Sequence, residues 1–574
     1  MPRSIVRRNL SDNCTLPDSL HPVLRRIYSA RNVTHPEQLD YSLEGLLPYH
    51  ALQGIDPAVA LLVDALEHEK RILIVADFDA DGATGCALGI RGLTAMGAAD
   101  LHYVVPSRFE FGYGLSPEIV EVAAARKPDL LITVDNGISS VEGVYVARAK
   151  GMQVLITDHH LPGKQLPDAD AIVNPNQQGD TFPSKCLAGV GVMFYVLAAL
   201  RAHLREEGWF ARRHVREPNL AALLDLVALG TVTDIVPLDR NNRILVAQGL
   251  ERIRCGRCVP GIKALLNVAN RSASRVTAGD LGFVIGPRLN AAGRLTDMSL
   301  GIESLLCDDD AQALTIAATL DGLNRERREI QQEMQTLAET QMPLLDDKNS
   351  PPMGLCLHDA TWHQGVVGIL ASRIKDKWHR PVVAFAKDHD GLLKGSGRSV
   401  TGVHFRDALD AIATREPGLI VKFGGHAMAA GLTIHEKNFI RFKNAFEGEM
   451  QRHLSADNLQ GTLYSDGELS AEYISLSLAE AIYLGGPWGQ GFPEPLFDGL
   501  FEIVERRIVA GRHLKMILKL PGSEDDYDAI AFFTIDEEWP DPVDRVQLAY
   551  RLVINKYRGH SRLQLLVEHV EPVT

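Results

Sequence analysis

The sequence predicts a multidomain α/β protein whose first large domain is a doubly wound parallel sheet. Strand-like apolar segments alternate there with helix-like segments, a long amphipathic helical pattern follows near the middle, and period-two alternation dominates the C-terminal region. At 574 residues the chain has room for several domains of roughly 100 to 200 residues. Its 45% apolar and 23% charged residues are typical of soluble globular proteins.

The overall charge argues against a protein that coats nucleic acid. The net charge is −14, but the stretch from Glu251 to Arg294 has eight Lys or Arg and two acids. This local charge of +6 leaves −20 for the remainder and permits a basic groove, with a solvated face as the alternative.

Neither the composition of the first residues nor the pattern of cysteines indicates secretion. The start, "MPRSIVRRNL", has no apolar core, and no stretch of about 18 uncharged apolar residues occurs, so we expect a cytoplasmic protein. The seven scattered cysteines predict reduced thiols. Cys255 and Cys258 form one CxxC, but without a second pair at finger spacing a structural zinc site is disfavoured.

The most informative segment of the first domain is "ILIVADFDADGATG", from Ile72 to Gly85. Its three alternating aspartates and following glycine resemble the start of an EF-hand, but Leu88 stands where the bidentate Glu is required. A plain polar turn is the simplest alternative. Three closely spaced carboxylates repel each other unless a cation or protons offset the charge, so the segment favours a cation site.

Two further strands end in acid or imidazole. "DLLITVDNG" leads into Asp135, and "MQVLITDHH" leads into Asp158, His159 and His160. Residues 83–96 and 141–150 between such strands read as helices, which predicts a parallel sheet. The carboxyl ends of parallel strands share one crevice, so Asp77, Asp79, Asp81, Asp135 and the two histidines should converge.

A fourth element, "LLDLVALGTVTDIVPL", is an apolar helix that runs into Asp234. Taken alone, Asp234 is a helix-end or turn residue, and it gains weight as a further member of the cluster. Carboxylates with one or two histidines suit Mn²⁺, Mg²⁺ or Fe²⁺ better than a closed zinc site. Five or six ligands fit two ions about 3.5 to 4 Å apart, an arrangement used for phosphoryl hydrolysis. The residues therefore predict a metal-dependent phosphoesterase.

The motifs in order resemble a known family. "DFDADG", "VDNG", "DHH" and "GTVTDIVPL" are similar to the four motifs of the DHH phosphoesterases. "GPRLNAAGRL", "WHQGVVGILASRI", "GSGRSV" and "FGGHAMAAG" resemble the RecJ branch, the bacterial single-strand-specific DNA exonucleases. The match runs from about Ile72 to the C-terminus. Phe78 replaces a Tyr that is frequent in the family, and we do not expect it to touch metal.

The resemblance implies roles for particular residues. Two divalent ions, Mn²⁺ or Mg²⁺, would be bound by Asp79, Asp81, Asp135, His159 and Asp234. Asp77 would lie behind these ligands or at the rim, and His160 would contact the scissile phosphate or orient the attacking water. The 5′ end of the substrate would be held by Arg108, Arg288, Ser396 and Arg398, with His363 and Ser372 in the same pocket.

A second, glycine-rich α/β domain is predicted from Met353 to Met450. In "KGSGRSV", Ser396 and Arg398 flank a glycine and can converge on phosphate oxygens. In "KFGGHAMAAG", Gly424 and Gly425 precede His426 and a small-residue segment that reads as a helix start, a possible anion cradle. Each motif alone indicates a tight turn more readily than a site.

A long helix should precede that domain. Residues 311–344 have apolar residues at alternating spacings of four and three, interrupted only by Arg327. About 30 residues span about 45 Å, which is enough to connect two domains across a cleft. A coiled-coil dimer seam is the competing interpretation, and the strut is favoured because only about three heptads are present.

The C-terminal region predicts a small β-barrel. "GPWGQGFPEPLF" is an irregular loop, and several alternating segments follow it. The resemblance implies an OB-fold, in which aromatics stack on bases and cations follow the phosphates. The candidates are Phe533, Tyr550, Tyr557 and Arg558, with a core or surface position as the alternative for each.

The predicted domains are a segment 1–70 packed on the catalytic domain, the DHH domain 71–245, a helical connector 246–345, a DHH-associated domain 346–455 and the OB-fold 460–574. The resemblance implies a monomeric 5′ to 3′ exonuclease that releases mononucleotides from single-stranded DNA in repair and recombination. Its partners would be single-stranded DNA, a single-strand-binding protein and a helicase. The alternatives are a hydrolase of short oligonucleotides or cyclic dinucleotides, which needs no terminal barrel, and a non-catalytic nucleic-acid-binding member, which would have lost ligands.

Overall fold

The computed structural model describes residues 3–111, 113–342, 352–454, 461–511, 513–532, 545–557 and 560–573. The N-terminal segment contains one strand and two helices, and a parallel sheet follows it. These elements are β1 (Arg3–Arg7), α1 (Pro22–Ser29), α2 (Ile55–Glu67), β2 (Ile72–Ala76), α3 (Ala80–Ala95), β3 (Leu101–Val104), α4 (Pro117–Ala124), β4 (Leu130–Val134), α5 (Val141–Ala149), β5 (Gln153–Thr157) and β6 (Ala171–Val173).

The sheet has the order β3-β2-β4-β5-β6, and every pairing is parallel. All residues of β2 and β4 are buried, because helices cover both faces of the sheet. The strand order reverses between β2 and β4, and this switch point is where a doubly wound sheet opens a crevice. Asp77 follows β2 and Asp135 follows β4, so both lie at that crevice.

Helices complete this domain and form the connector. They are α6 (Gly189–Glu206), α7 (Trp209–Arg212), α8 (Leu224–Thr233), α9 (Arg240–Arg254), α10 (Pro260–Val268), α11 (Ala278–Asp280), α12 (Gly286–Leu295) and α13 (Ser299–Leu306). A π-helical turn, Leu281–Ile285, leads directly into α12.

The long helix α14 (Asp310–Gln341) links the two α/β domains, as the strut interpretation predicts. Its Leu320 packs in the core of the first domain, whereas Met334 and Ala338 pack in the core of the second. Arg327, which interrupts the apolar pattern, is buried and donates to Asn324 Oδ1.

The second domain is a mixed five-stranded sheet of order β10-β11-β9-β8-β7. Its elements are β7 (Leu355–Asp359), α15 (Val367–Trp378), β8 (Val382–Lys387), β9 (Leu392–Arg398), α16 (Phe405–Arg415), β10 (Lys422–Gly425), β11 (Ala429–His435) and α17 (Phe439–His453).

Both glycine-rich motifs of this domain lie in strands, which corrects the expected tight turns. Ser396 and Arg398 belong to the central strand β9, and Gly424 and Gly425 to the edge strand β10. The expected helix start after His426 is strand β11 instead. Packing explains the glycines of β9, because a Cβ on Gly397 would lie 2.2 Å from the Phe405 ring.

A closed barrel ends the chain, as predicted, with the order β13-β14-β15-β17-β16. The elements of this region are β12 (Gly461–Ser465), α18 (Leu476–Leu484), β13 (Phe497–Val509), β14 (His513–Lys519), β15 (Asp526–Ala531), β16 (Arg545–Tyr557) and β17 (His560–Pro572). β12 pairs in parallel with β1, so the N-terminal segment contacts the barrel region as well as the catalytic domain.

All seven cysteines are free, as the scattered pattern predicts. In the described ranges no single helix has the length and apolar character needed to cross a membrane. One bent pair of helical segments, Leu43–Ala51 with Ile55–Glu67, meets the length and composition criteria together.

Candidate metal centre and substrate cleft

The aspartate segment after β2 is held by its own backbone. Asp79 caps α3, where its Oδ1 accepts from the N–H groups of Asp81 at 2.9 Å and Gly82 at 3.1 Å. The buried Asp81 carboxylate accepts from the N–H groups of Gly189 at 2.6 Å and Val190 at 2.9 Å, at the start of α6. These bonds fix two carboxylates whose remaining lone pairs are free for a ligand.

Residues from two strands and one helix end meet this segment. Asp135 follows β4 in the left-handed region, with φ of 63°. His159 Nε2 lies 3.1 Å from Asp135 Oδ1 and 3.4 Å from Asp234 Oδ2. Asp234 caps the C-terminus of α8, as its position at the end of the apolar helix predicts. The structure therefore brings all five predicted metal ligands to one end of the sheet.

His160 occupies the rim of the same cluster. Asp158 Oδ1 lies 2.7 Å from His160 Nδ1, and the Tyr113 hydroxyl lies 3.0 Å from the same nitrogen. Burial opposes the imidazolium, but hydrogen bonding and charge from Asp158 raise the pKa of His160. Neither Asp158 nor Tyr113 is among the site residues predicted from the sequence, although Asp158 stands inside the "DHH" motif.

Electrostatic conditions at the cluster favour a bound cation. Burial, together with neighbouring carboxylates, raises the pKa of Asp135 and Asp234 well above the usual range and that of Asp81 to about 7. Burial lowers the pKa of His159 to about 3, which keeps its imidazole neutral. Neutral imidazole and crowded carboxylates are a suitable donor set for a hard divalent cation.

Buried nitrogen and oxygen atoms that are free to bind a cation support the same conclusion. Asp77 Oδ1, Asp135 Oδ1 and His159 Nε2 are buried and form no hydrogen bond with any described residue. In the described ranges, every group of side chains able to hold a metal consists of Asp and His, without Cys255 or Cys258. The groups are Asp77 with Asp79 and Asp135, Asp81 with His159 and Asp234, and Asp135 with His159 and His160. Ligand atoms of Asp77, Asp79 and Asp135 thus all lie within 4.8 Å of one another.

A polar pocket on the second domain contains three of the predicted substrate residues. Arg398 Nε donates to Ser372 Oγ at 3.1 Å, and its Nη1 donates to Ser396 Oγ at 2.9 Å. The two hydroxyls come from α15 and β9, so neighbouring elements orient one guanidinium. Burial and the charge of Arg108 lower the pKa of Arg398.

Two more arginines from the first domain and the connector face this pocket. Arg108 lies over the Phe78 ring, 4.1 Å from its centroid, which agrees with a role for Phe78 away from the metal. Arg294 is half-buried and donates to the Gly365 carbonyl at 3.0 Å. Burial and the charges of Arg108 and Arg398 lower the pKa of Arg294 to about 9. In the described part of the chain, none of these three guanidinium groups pairs with a carboxylate.

Arg288 is paired elsewhere, and its predicted place in the pocket stays a prediction. Its guanidinium contacts Asp321 of α14 at 2.9 Å and donates to the Val284 carbonyl at 2.7 Å. Arg294, six residues further along the same "GPRLNAAGRL" motif, is the member that sequence reasoning missed. The repeated arginine in that motif was the available signal. Other cations of the basic stretch pair locally, such as Arg271 with Asp280 and Lys263 with Asp310.

Histidines and glycines line the remaining edges of the cleft. The His426 ring, after β10, stacks on His160 with 5.9 Å between centroids, so the two domains meet at the metal cluster. His363 Nδ1 accepts from the Gly365 N–H, and its ring lies edge-on to Phe109. Gly424 faces open space, whereas Gly425 packs against Ala430.

Of the four predicted strand-binding residues of the barrel, Tyr550 has a described side chain, and its position does not support contact with a strand. Tyr550 is fully buried and packs edge-on to Phe501 with centroids 5.3 Å apart, so it serves the barrel core and offers no face to a base. Phe533 and Arg558 lie outside the described residues. Tyr557 ends β16, and its side chain is likewise outside the described part.

Three family models match the chain in succession. Residues 71–231 match the N-terminal domain of the DHH family, residues 353–452 match the DHHA1 domain and residues 465–569 match the RecJ OB domain.

Curated relatives match over the whole length. The chain is 54% identical to the single-stranded-DNA-specific exonuclease RecJ of Dickeya dadantii and 52% identical to that of Escherichia coli, with 99% of each chain covered in both cases. Among solved structures, RecJ of Thermus thermophilus in complex with Mn²⁺ matches with a TM-score of 0.81 and 30% identity, covering 100% of this chain and 79% of that one. The Mg²⁺ complex of the same protein matches with a TM-score of 0.76 and 29% identity, covering 100% of this chain and 78% of that one.

Proposed function

The chain belongs to the RecJ family of single-stranded-DNA-specific exonucleases, and from this premise we propose that it degrades single-stranded DNA from the 5′ end and releases mononucleotides. The observation that carries this proposal is the position of Arg108. The charges of Asp77 and Asp79 act on its guanidinium, and its own charge acts on Arg398. A strand end in the arginine pocket would therefore present its first phosphodiester to the carboxylate cluster.

We propose that Asp79, Asp81, Asp135, His159 and Asp234 hold two divalent cations, Mn²⁺ or Mg²⁺. The unsatisfied buried atoms of Asp135 and His159 support this assignment. When bound, such a pair of cations activates water and stabilises the leaving oxygen. Asp77 shares the first group of carboxylates with Asp79 and Asp135, and the two backbone N–H groups that bond Asp81 keep its oxygens aimed at the cluster.

His160 is proposed to contact the scissile phosphate. Its imidazole is oriented by Asp158, which also accepts from the backbone N–H of Ile138 at 2.9 Å. The resulting bias toward the protonated ring supplies a positive charge at the rim, where an incoming phosphate loses water.

We propose that the 5′ to 3′ direction of degradation follows from one pocket. It is formed by Arg108, Arg294, Arg398, Ser372 and Ser396. Among the described residues these three guanidinium groups form no ion pair with a carboxylate, so they repel each other, and a terminal phosphate would offset that repulsion with charge-assisted hydrogen bonds. A 3′ hydroxyl offers no such compensation. A single-strand-binding protein and a helicase are the proposed partners that would supply the strand to a monomeric enzyme.

The direct test uses the full-length protein with Mn²⁺ and a single strand labelled at either end, its duplex and an RNA copy. We expect the 5′ label to appear at once in mononucleotides, and the 3′-labelled strand to shorten progressively. Duplex should resist cleavage. Immediate release of the 3′ label would reverse the polarity, and equal cleavage of duplex would remove the single-strand assignment.

A further inference from the structure

We propose that the loop leading into the barrel, residues 485–496, is a positioning element for Asp234 and so sets the metal affinity of the catalytic domain. This inference rests on the proposed role of Asp234 as a metal ligand. The loop belongs to the C-terminal region, more than 250 positions later in the sequence, yet it packs against the segment that follows Asp234, residues 235–238.

The contact between the loop and the segment is direct. The Leu238 N–H donates to the Gln490 carbonyl at 2.7 Å. A Cβ on Gly489 would lie 2.7 Å from Leu238 Cδ1, and a Cβ on Gly491 would lie 3.3 Å from Pro237 Cβ. The glycines therefore permit a backbone approach that a side chain would block.

Arg243 also fixes the segment and links it to the loop. Its guanidinium donates to the Leu238 carbonyl at 2.9 Å and lies 4.4 Å from the centroid of the Phe492 ring. Phe492 is fully buried and stacks on Trp488 at 5.2 Å. Leu238 is thus held through both its N–H and its carbonyl.

The segment requires such support. Ile235, directly after Asp234, has φ of 61°, a conformation that is strained for a β-branched residue and persists only where the surroundings impose it. Asp234 itself caps a helix C-terminus, where helices tend to fray. The loop supports this position by fixing the chain four residues further on, at Leu238.

The loop in turn is anchored by the N-terminal segment. Tyr28 donates its hydroxyl proton to the Gly485 carbonyl at 2.8 Å, and Arg31 Nε donates to the Pro493 carbonyl at 2.8 Å. Arg31 also pairs with the buried Asp466 at 2.6 Å. The barrel entrance, the N-terminal segment and the ligand-bearing segment consequently form one packed unit.

The test substitutes Phe492→Leu in the full-length protein and measures Mn²⁺ binding from the electron paramagnetic resonance signal of free Mn²⁺. Removal of groups that orient a ligand directly weakens metal binding about 10- to 100-fold. We expect a smaller weakening, about fivefold, because Phe492 acts through Arg243 and Leu238. Hydrogen exchange of the amides of residues 235–238 should accelerate, while the preference for a 5′-phosphate should not change. Gly489→Ala, which keeps every aromatic contact, should also weaken Mn²⁺ binding.

Two controls separate positioning from general loosening. Phe497→Leu removes a buried aromatic of the barrel core, and Gln490→Ala keeps the backbone carbonyl that Leu238 uses, so both should retain wild-type Mn²⁺ affinity. Unchanged affinity in both Phe492→Leu and Gly489→Ala would overturn the proposal, and so would equal weakening by Phe497→Leu. The variant Asp234→Asn separates failure of the metal-ligand assignment from failure of the positioning role. If it leaves Mn²⁺ binding intact, the ligand assignment fails together with this inference, whereas weakening by Asp234→Asn alone rejects only the positioning role.

Discussion

The cleft contains two clusters of like charge that were assembled in different ways. The carboxylate cluster comes from the first domain, and its members follow strands or cap helices at one end of the parallel sheet. The arginine cluster draws Arg108 from a loop, Arg294 from α12 and Arg398 from β9, so it exists only where the domains meet. The first cluster is a property of one sheet, and the second is a property of the docked domains.

Each cluster is unfavourable by itself because buried like charges repel. We propose that cations offset the repulsion among the carboxylates and that a phosphate offsets the repulsion among the guanidinium groups. The comparison therefore predicts different losses when either is broken. Damage to the carboxylates should remove the reaction itself, whereas damage to the arginines should remove the choice of strand end.

Asp135→Asn should have the largest effect. Asn tolerates the left-handed backbone of this position but lacks the charge of the ligand. We expect single-turnover cleavage to fall by at least about a thousandfold, or about 4 kcal/mol of transition-state stabilisation. With a chelator present to remove metal, calorimetry should show that the variant unfolds at a higher temperature than the wild-type protein. The reason is that the substitution removes one of the charges that repel each other. Near-normal cleavage would contradict the ligand assignment.

Arg398→Ala should act on end recognition. A charge-assisted hydrogen bond to phosphate contributes roughly 1.5 to 3 kcal/mol, which is a factor of about 10 to 100. We expect the ratio of initial rates on 5′-phosphorylated and 5′-hydroxyl strands to fall by that factor at fixed salt. Mn²⁺ binding should be unaffected. If the wild-type ratio exceeds one and the variant keeps it, the end-sensing pocket lies elsewhere.

Arg294→Lys and Arg288→Lys sharpen the comparison within one motif. Lys retains the charge but loses the planar fork of the guanidinium. At Arg294 we expect the 5′-phosphate preference to fall about fivefold, since one of two parallel bonds is lost. At Arg288 the preference should stay at the wild-type value, because its partner is Asp321. A larger loss at Arg288 than at Arg294 would restore the assignment that the resemblance first suggested.

Tyr550→Phe should have the smallest effect. Among the described residues the buried hydroxyl has no hydrogen-bond partner, and the ring packs inside the barrel. Binding of a long single strand, measured by fluorescence anisotropy, should therefore remain within about twofold of wild type, because the substitution removes only this hydroxyl. A loss of about fivefold or more would mean that the hydroxyl of Tyr550 reaches the strand after all.

Much of the fold was readable because local patterns carry it. The apolar runs of β2, β4 and β5 end in acids or histidines, so the parallel sheet and its ligand-bearing edge followed from alternation alone. The 32-residue helix α14 was predicted from apolar residues at alternating spacings of four and three. The barrel was predicted from period-two alternation of apolar and polar residues. The glycines of β9 misled sequence reasoning, because a glycine that admits the ring of Phe405 looks the same as a glycine that forms a turn.

The sequence by itself determined the chemistry of this protein, since Asp79, Asp135, His159 and Asp234 stand next to elements whose direction is set by local periodicity. Only the tertiary structure decided which arginines face the carboxylates. Arg288 and Arg294 occupy the same helix in the same motif, and one pairs with Asp321 of α14 while the other lies against Gly365 of the second domain. That choice depends on the rotation of a helix between two neighbours. Charged long side chains do not recur with the period of a helix or a strand, so their sequence positions do not reveal their partners. Long-range packing decides which partner each one contacts.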